Sequence, residues 1–447
     1  MAIADLISFT LNTQFDDLPE QVISDALRGL TDTIGVAIAA SETELSRIIR
    51  NHASEQFAAG SRLSAVLWQD GRRVSPAGAT LANAMTTDAL DAHDGSKPTK
   101  GHVGCGVVAA TLALSEDCSG PELITRIAIG YELGTRAGVA LHATAQDYHT
   151  SGAWIALACA AITARALKLN PAQTREAVGI AEYHGPRSQM MRCIDHPTMV
   201  KDGSGWGAMA GVSAGFLARD GFTGAPALTI EHKNVADIWA DLTQRWYISE
   251  QYIKLYPVCR WAQPAVEAVL ELIHEHALSP EDVVGVHIEA FHEACRLTAI
   301  PTTTEQAQYS LPFAVACMVR YGTIGVTEVG PQGYNDTKTI ALARNVIVSQ
   351  RPEFDAVFPS RRISLAHLTL ADGTTLTSSA KEAVGDPEEP VTAALIEEKF
   401  KRLAGPVMGD ANALTLLQAI DLLRHSASID QILKPLAKRP GPTAKAM

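Results

Sequence analysis

The stretch SGAWIALACAAITARALKL, residues 151–169, is apolar nearly all round a helical wheel and carries small residues at close intervals. A helix of this kind has no face for water, so neighbouring helices must bury it on all sides. The segments 103–116 and 119–143 share its Ala-rich texture, and VKDGSGWGAMAGVSAGFLAR at 200–219 adds Gly and Ala positions that let helices approach closely. Together these segments require a helical bundle.

Upstream, apolar residues at three- and four-residue spacing across 19–57 predict two consecutive helices, with Ser41 and Glu44 as a capping box for the second. SAVLW (64–68) reads as a short strand before a QDG turn, and SPAGATLANAMTTDALD as a further helix. After Pro264 the texture changes. VVGVHIEAF (283–291) and RRISLAHLTLADGTTLTSSA (361–380) alternate as half-buried strands, with helices near 307–321 and 336–345 between them. Helical periodicity returns from 388 to 434 and is expected to pack back on the bundle. The fold class is therefore mainly α with an α+β insertion: a discontinuous all-α helical-bundle domain at 1–264 and 386–447, plus a smaller α+β domain at 265–385.

A net charge of -12 opposes docking on nucleic acid or anionic membrane, and no run of eighteen uncharged apolar residues is present. An acidic N-terminal stretch without a signal-like core points to a cytoplasmic protein. Seven dispersed cysteines without a CxxC pair argue against a disulfide framework or a structural zinc site.

Proton-carrying groups gather in four places. In DALDAHDGSKPTKGHVG (88–104), Asp91, His93, Asp94, Lys97, Lys100 and His102 follow a helix end. His149 precedes the apolar helix, where the N-terminal field favours a neutral imidazole and Thr150 or Ser151 is a capping group. Lys201 stands at the start of a small-residue helix, where a cation beside exposed amides suits a carboxylate or oxyanion. The GSGWGA run there lacks a preceding strand, which excludes a dinucleotide fingerprint. YIKLYPVCRWAQP contributes Lys254, Tyr256, Arg260 and Gln263 as a carboxylate clamp, with Cys259 as a packing residue, and Gln308, Tyr309 and Ser310 enter a later helix.

With these stretches in order, the chain resembles the MmgE/PrpD family, whose members include 2-methylcitrate dehydratases, cis-aconitate decarboxylases and iminodisuccinate epimerases. The resemblance is carried by Asp91 to His102, the segment His149-Thr-Ser-Gly, Lys201, GFTGAPALTIE at 221–231 and KLYPVC at 254–259, and runs over nearly the whole chain. It implies a homodimer and cofactor-independent chemistry on a small anionic carboxylic acid between two domains, with Asp91, His102, His149 and Lys201 catalytic. His93, Lys97, Lys254, Tyr256, Arg260, Gln263 and Tyr309 would then contact substrate. Three departures stand out: Gly95 where decarboxylase-like members carry Thr, Gln263 where the family often has His, and His93 in place of an aromatic or aliphatic residue.

The expected activity is a dehydratase-type lyase that removes a proton next to a carboxylate, with Asp91 orienting His102. Epimerisation or decarboxylation of the same substrate class is the alternative. A non-catalytic binder of anionic metabolites is the alternative of another class, and it would leave the ionisable residues dispersed.

Overall fold

The computed structural model describes residues 2–60, 63–116, 118–425 and 427–439. Helices Glu20–Ala40, Pro76–Asp88, Gly104–Ala113, Gly120–Thr144, Gly152–Ala166 and Ser204–Arg219 build the expected bundle. Gly152–Ala166 is buried at every position through Ala164. Its main partner is Ser204–Arg219, in which Gly207, Gly211 and Gly215 share one face at a four-residue spacing. A Cβ at any of the three would overlap Gly152, Ala156 or Thr163, so the small residues set how closely these helices approach.

Helix Glu44–Gln56 is capped by Thr43, whose hydroxyl accepts from Ser46 N at 3.3 Å. The expected Ser41–Glu44 box does not form, because Ser41 closes the preceding helix and donates its hydroxyl to Ile38 O at 2.6 Å. The local competition is between ending one helix and starting the next, and Ser41 sits two residues too early.

The α+β segment is a four-stranded sheet in the order Val346–Gln350, Val283–Ala290, Ser364–Leu370, Thr375–Thr377. The first pair is parallel and the others antiparallel. Strand Val346–Gln350 runs directly out of helix Thr337–Asn345 with no Gly, Pro or Asn-Gly signal to mark the change, and sequence periodicity misses it. Helices Gln263–Glu275 and Leu311–Tyr321 pack against the sheet.

The tail returns to the bundle as helices Ala393–Met408 and Asp410–Asp421. Phe400 packs on Gly35, and the Lys399 ammonium reaches Asp32 Oδ1 at 2.5 Å and Ala92 O at 2.6 Å. One apolar core fills the bundle and tail. A second joins the sheet to Val36, Leu81, Met85 and Leu90 of the bundle, so residues 88–104 run along the seam between the two. No helix among the described residues is long and apolar enough to cross a membrane.

Candidate active site

Ser75 starts helix Pro76–Asp88 by accepting from Gly78 N at 3.2 Å, and the helix ends deep in the molecule. The charged run that follows is consequently interior. Asp88, Asp91, His93, Asp94 and His102 are each no more than 8% exposed, which rules out a solvated loop. Burial pushes the Asp94 carboxyl to about 7, although the Tyr131 hydroxyl donates to it.

His102 is held from both ends. Its backbone N–H donates to Ser151 Oγ at 2.8 Å, and its ring Nδ1 meets the carbonyl of Asp94. A carbonyl only accepts, so Nδ1 carries the proton and Nε2 of the neutral ring presents a lone pair. That nitrogen lies 3.7 Å from Asp91 Oδ1 and 3.9 Å from Asp202 Oδ2. Burial, then the Lys254 charge, lowers the imidazole to about 3, with Asp91 opposing. The group that fixes the tautomer is thus the Asp94 backbone, and not the Asp91 carboxylate that sequence reasoning assigned. His93 sits behind, its ring centroid 4.4 Å from that of His102, and burial above all keeps it neutral.

Asp91 is bonded to the Lys254 ammonium through its carboxylate, and its carbonyl accepts from the same nitrogen at 3.2 Å. Burial alone would raise this carboxyl, but Lys254 and then Lys201 outweigh it and hold Asp91 ionised. Asp202, which the sequence did not single out, accepts from the Ser151 hydroxyl, and its N–H points to Asp88 Oδ2 at 3.4 Å. Burial first, then repulsion by Asp88, lifts Asp202 to about 7; Asp88 is also raised, mainly by burial. Burial and mutual repulsion of these two carboxyls thus keep Asp202 protonated up to about neutral pH.

Lys201 lies three residues before helix Ser204–Arg219, in the left-handed region at φ +48°. Its ammonium donates to Gln308 Oε1 and stands 4.6 Å over the Tyr309 ring, while Gln308 is itself pinned to Ala89 O at 2.8 Å. The 308–310 stretch thereby carries the α+β side into the site.

Part of this set lines a cavity of about 20 Å³ at the seam, walled by Asp91, Lys100, His102 and Tyr148 from the bundle and by Tyr252, Lys254, Arg260 and Tyr309 from the other side; Lys201, His93 and Asp202 are not among the residues that line it. Several expected residues lie elsewhere. His149 is off the wall, its N–H donating to His142 Nε2 at 3.2 Å, and its neighbour Tyr148 lines the cavity in its place. Ser151, offered as a cap, turns its hydroxyl to Asp202. Lys97 pairs with Asp386 at 2.9 Å and Glu388 at 2.8 Å on an outer groove, and Tyr256 faces Glu267. Arg260 lines the cavity but is tied to Asp386 at 2.5 Å, and Gln263 braces it at 2.9 Å.

Two family models match the chain: the MmgE/PrpD N-terminal domain over residues 4–244 and the MmgE/PrpD C-terminal domain over residues 256–424. The chain belongs to the MmgE/PrpD family. Among curated relatives, the cis-aconitate decarboxylase of Homo sapiens is 23% identical, covering 95% of this chain and 92% of its own. The Aspergillus terreus cis-aconitate decarboxylase is 23% identical over 98% and 96%, and that of Mus musculus 22% identical over 93% and 90%.

Within this MmgE/PrpD chain the departures have structural correlates. A Cβ on Gly95 would overlap the hydroxyl of Tyr252, to which Gly95 is paired in a two-residue strand. Tyr252 thus occupies space that a Thr at 95 would need. The Gln263 amide donates to Tyr256 O at 3.2 Å and Val258 O at 3.1 Å, so it fixes the bend and offers no proton to the cavity.

Proposed function

We propose that this protein is a cofactor-independent, dehydratase-type lyase acting on a small di- or tricarboxylic acid, beginning with loss of a proton next to a carboxylate. The observation that carries this reading is the locked His102 ring, with its Nε2 lone pair aimed among Asp91, Asp202 and the Lys254 ammonium.

His102 Nε2 removes the proton. The resulting imidazolium is stabilised by Asp91 at 3.7 Å. Lys201, with Lys254 beside it, stabilises the ene-diolate charge, a role whose loss typically costs about 3–4 kcal/mol. Asp202 enters the cycle protonated, and its proton accompanies a departing β-hydroxyl. A bound carboxylate offsets the Lys254 field that depresses His102, so the base strengthens as substrate arrives. A cavity of about 20 Å³ holds roughly one water, so a polycarboxylate enters only when the seam between the two cores opens.

Decarboxylation is the second reading, favoured by relatives named cis-aconitate decarboxylase over nearly the whole chain. Gly95 and Gln263 count against simple transfer of that activity. In the same reading the domains are those expected from sequence and the protein is a homodimer. An NMR screen of di- and tricarboxylic acids with the purified protein separates the reactions, because loss of water, loss of carbon dioxide and proton exchange at the α-carbon leave different spectra. We expect loss of water from a β-hydroxy acid. A panel of such acids returned unchanged would overturn the proposal.

A further inference from the structure

Arg361 and Arg362 are adjacent in sequence and opposite in fate. Arg361 is at the surface, paired with Glu382 at 2.7 Å. Arg362 is 2% exposed, and no carboxylate among the described residues lies within ion-pair distance of it. Its Nη2 reaches Lys97 O at 3.4 Å, while Nε and Nη1 have no hydrogen-bond partner. A buried guanidinium left this way is costly, so its place in the fold calls for another explanation than stability.

Its surroundings supply one. The guanidinium stands 5.4 Å from the centre of the Tyr252 ring and hydrogen-bonds that side chain; Arg260 lies 4.7 Å from the same ring, and Tyr252 is a wall of the cavity. Of the other cations there, Lys254 is paired with Asp91 and Arg260 with Asp386, while Lys100, only half-buried, stands 4.4 Å over the Tyr148 ring. Lys201 also lacks a carboxylate at ion-pair distance among the described residues, and it leans on Tyr309, another wall residue. Two fully buried cations with no carboxylate at ion-pair distance among the described residues, Arg362 and Lys201, thus stand beside two tyrosines of one cavity.

We infer that Arg362 is a specificity-determining residue that binds a second carboxylate of the substrate, remote from the one held by Lys201. This rests on the proposed di- or tricarboxylic-acid chemistry and assigns to Arg362 the discrimination within it, so that a monocarboxylate is refused. The planar fork of Arg362 suits a bidentate contact that a Lys would not reproduce, with Nη1 and the second Nη2 hydrogen as the parallel pair of donors.

The test is calorimetric titration with tricarballylate, which has three carboxylates and no leaving group, and with butyrate, which has one. Wild type should bind tricarballylate and not butyrate. Arg362→Gln should weaken tricarballylate roughly 100-fold, and Arg362→Lys should fall between. Thermal unfolding of ligand-free Arg362→Gln should match or exceed wild type, since an uncompensated buried charge is removed. A loss of about 4 °C or more would show the guanidinium to be structural and overturn the inference. Unchanged tricarballylate affinity in Arg362→Gln would also overturn it while leaving the polycarboxylate reading intact. Failure of wild type to bind tricarballylate would sink both.

Discussion

Replacing Lys254 by Met probes the electrostatic arrangement most sharply. The Lys254 and Asp91 side chains are 1% and 3% exposed and joined by an ion pair, so the substitution strands a carboxylate in the interior. Breaking one side of a buried pair costs roughly 3–5 kcal/mol. Lys201 remains nearby and Asp91 can take up a proton, so the lower end of that range is expected at neutral pH. His102 should respond in the same variant. Lys254 is the largest charge holding its imidazole down at about 3, so the ring pKa must rise. Urea unfolding at pH 7 measures the first effect and an NMR titration of the His102 ring the second. Asp91→Asn in the Lys254→Met background removes the stranded charge and should recover about half the lost stability. A Lys254→Met loss under about 1 kcal/mol, with His102 still titrating near 3, would refute the pairing and the field that it sets.

Other expectations follow from the same geometry. Asp202 works protonated and is raised to about 7, so kcat/KM should fall as pH climbs through that value, and Asp202→Asn should flatten this alkaline limb; a limb that persists in the variant assigns it to another group. The sign for stability is the same: a carboxyl raised in the folded state favours folding at low pH, and its contribution is lost from about pH 4 up to about 7. Gly95→Thr forces the Tyr252 ring aside, so it should cost about 1–3 kcal/mol in thermal unfolding and raise KM, with Tyr252→Ala relieving the stability loss.

The bundle was legible because helix 151–169 has no polar face, and only surrounding helices satisfy that pattern. The returning tail and the DG hairpin were legible for similar local reasons. Strand Val346–Gln350 was not, since it follows its helix without a break and is specified by pairing with Val283–Ala290, far off in sequence. In the site, the cluster from Asp91 to His102 and the isolated Lys201 could be found as ionisable groups beside turn residues. His149 was favoured by its place before the apolar helix and by the family resemblance, and one position along an irregular segment puts Tyr148 on the cavity wall instead. Asp202, Ser151 and Gln308 gave a weak signal, because polar residues flanking a helix usually only cap it. Arg362 gave none: its twin Arg361 is an ordinary surface residue, both precede strand Ser364–Leu370, and only tertiary packing buries one and exposes the other.

The central claim is that His102 Nε2 takes a proton from carbon. Solvent deuterium appearing at the α-carbon of whichever polycarboxylate the NMR screen shows to react, followed in wild type and in His102→Gln, tests it directly. Wash-in is expected with wild type, and a loss of at least about 100-fold in His102→Gln, with tricarballylate still binding. Wash-in at the wild-type rate in His102→Gln would contradict it.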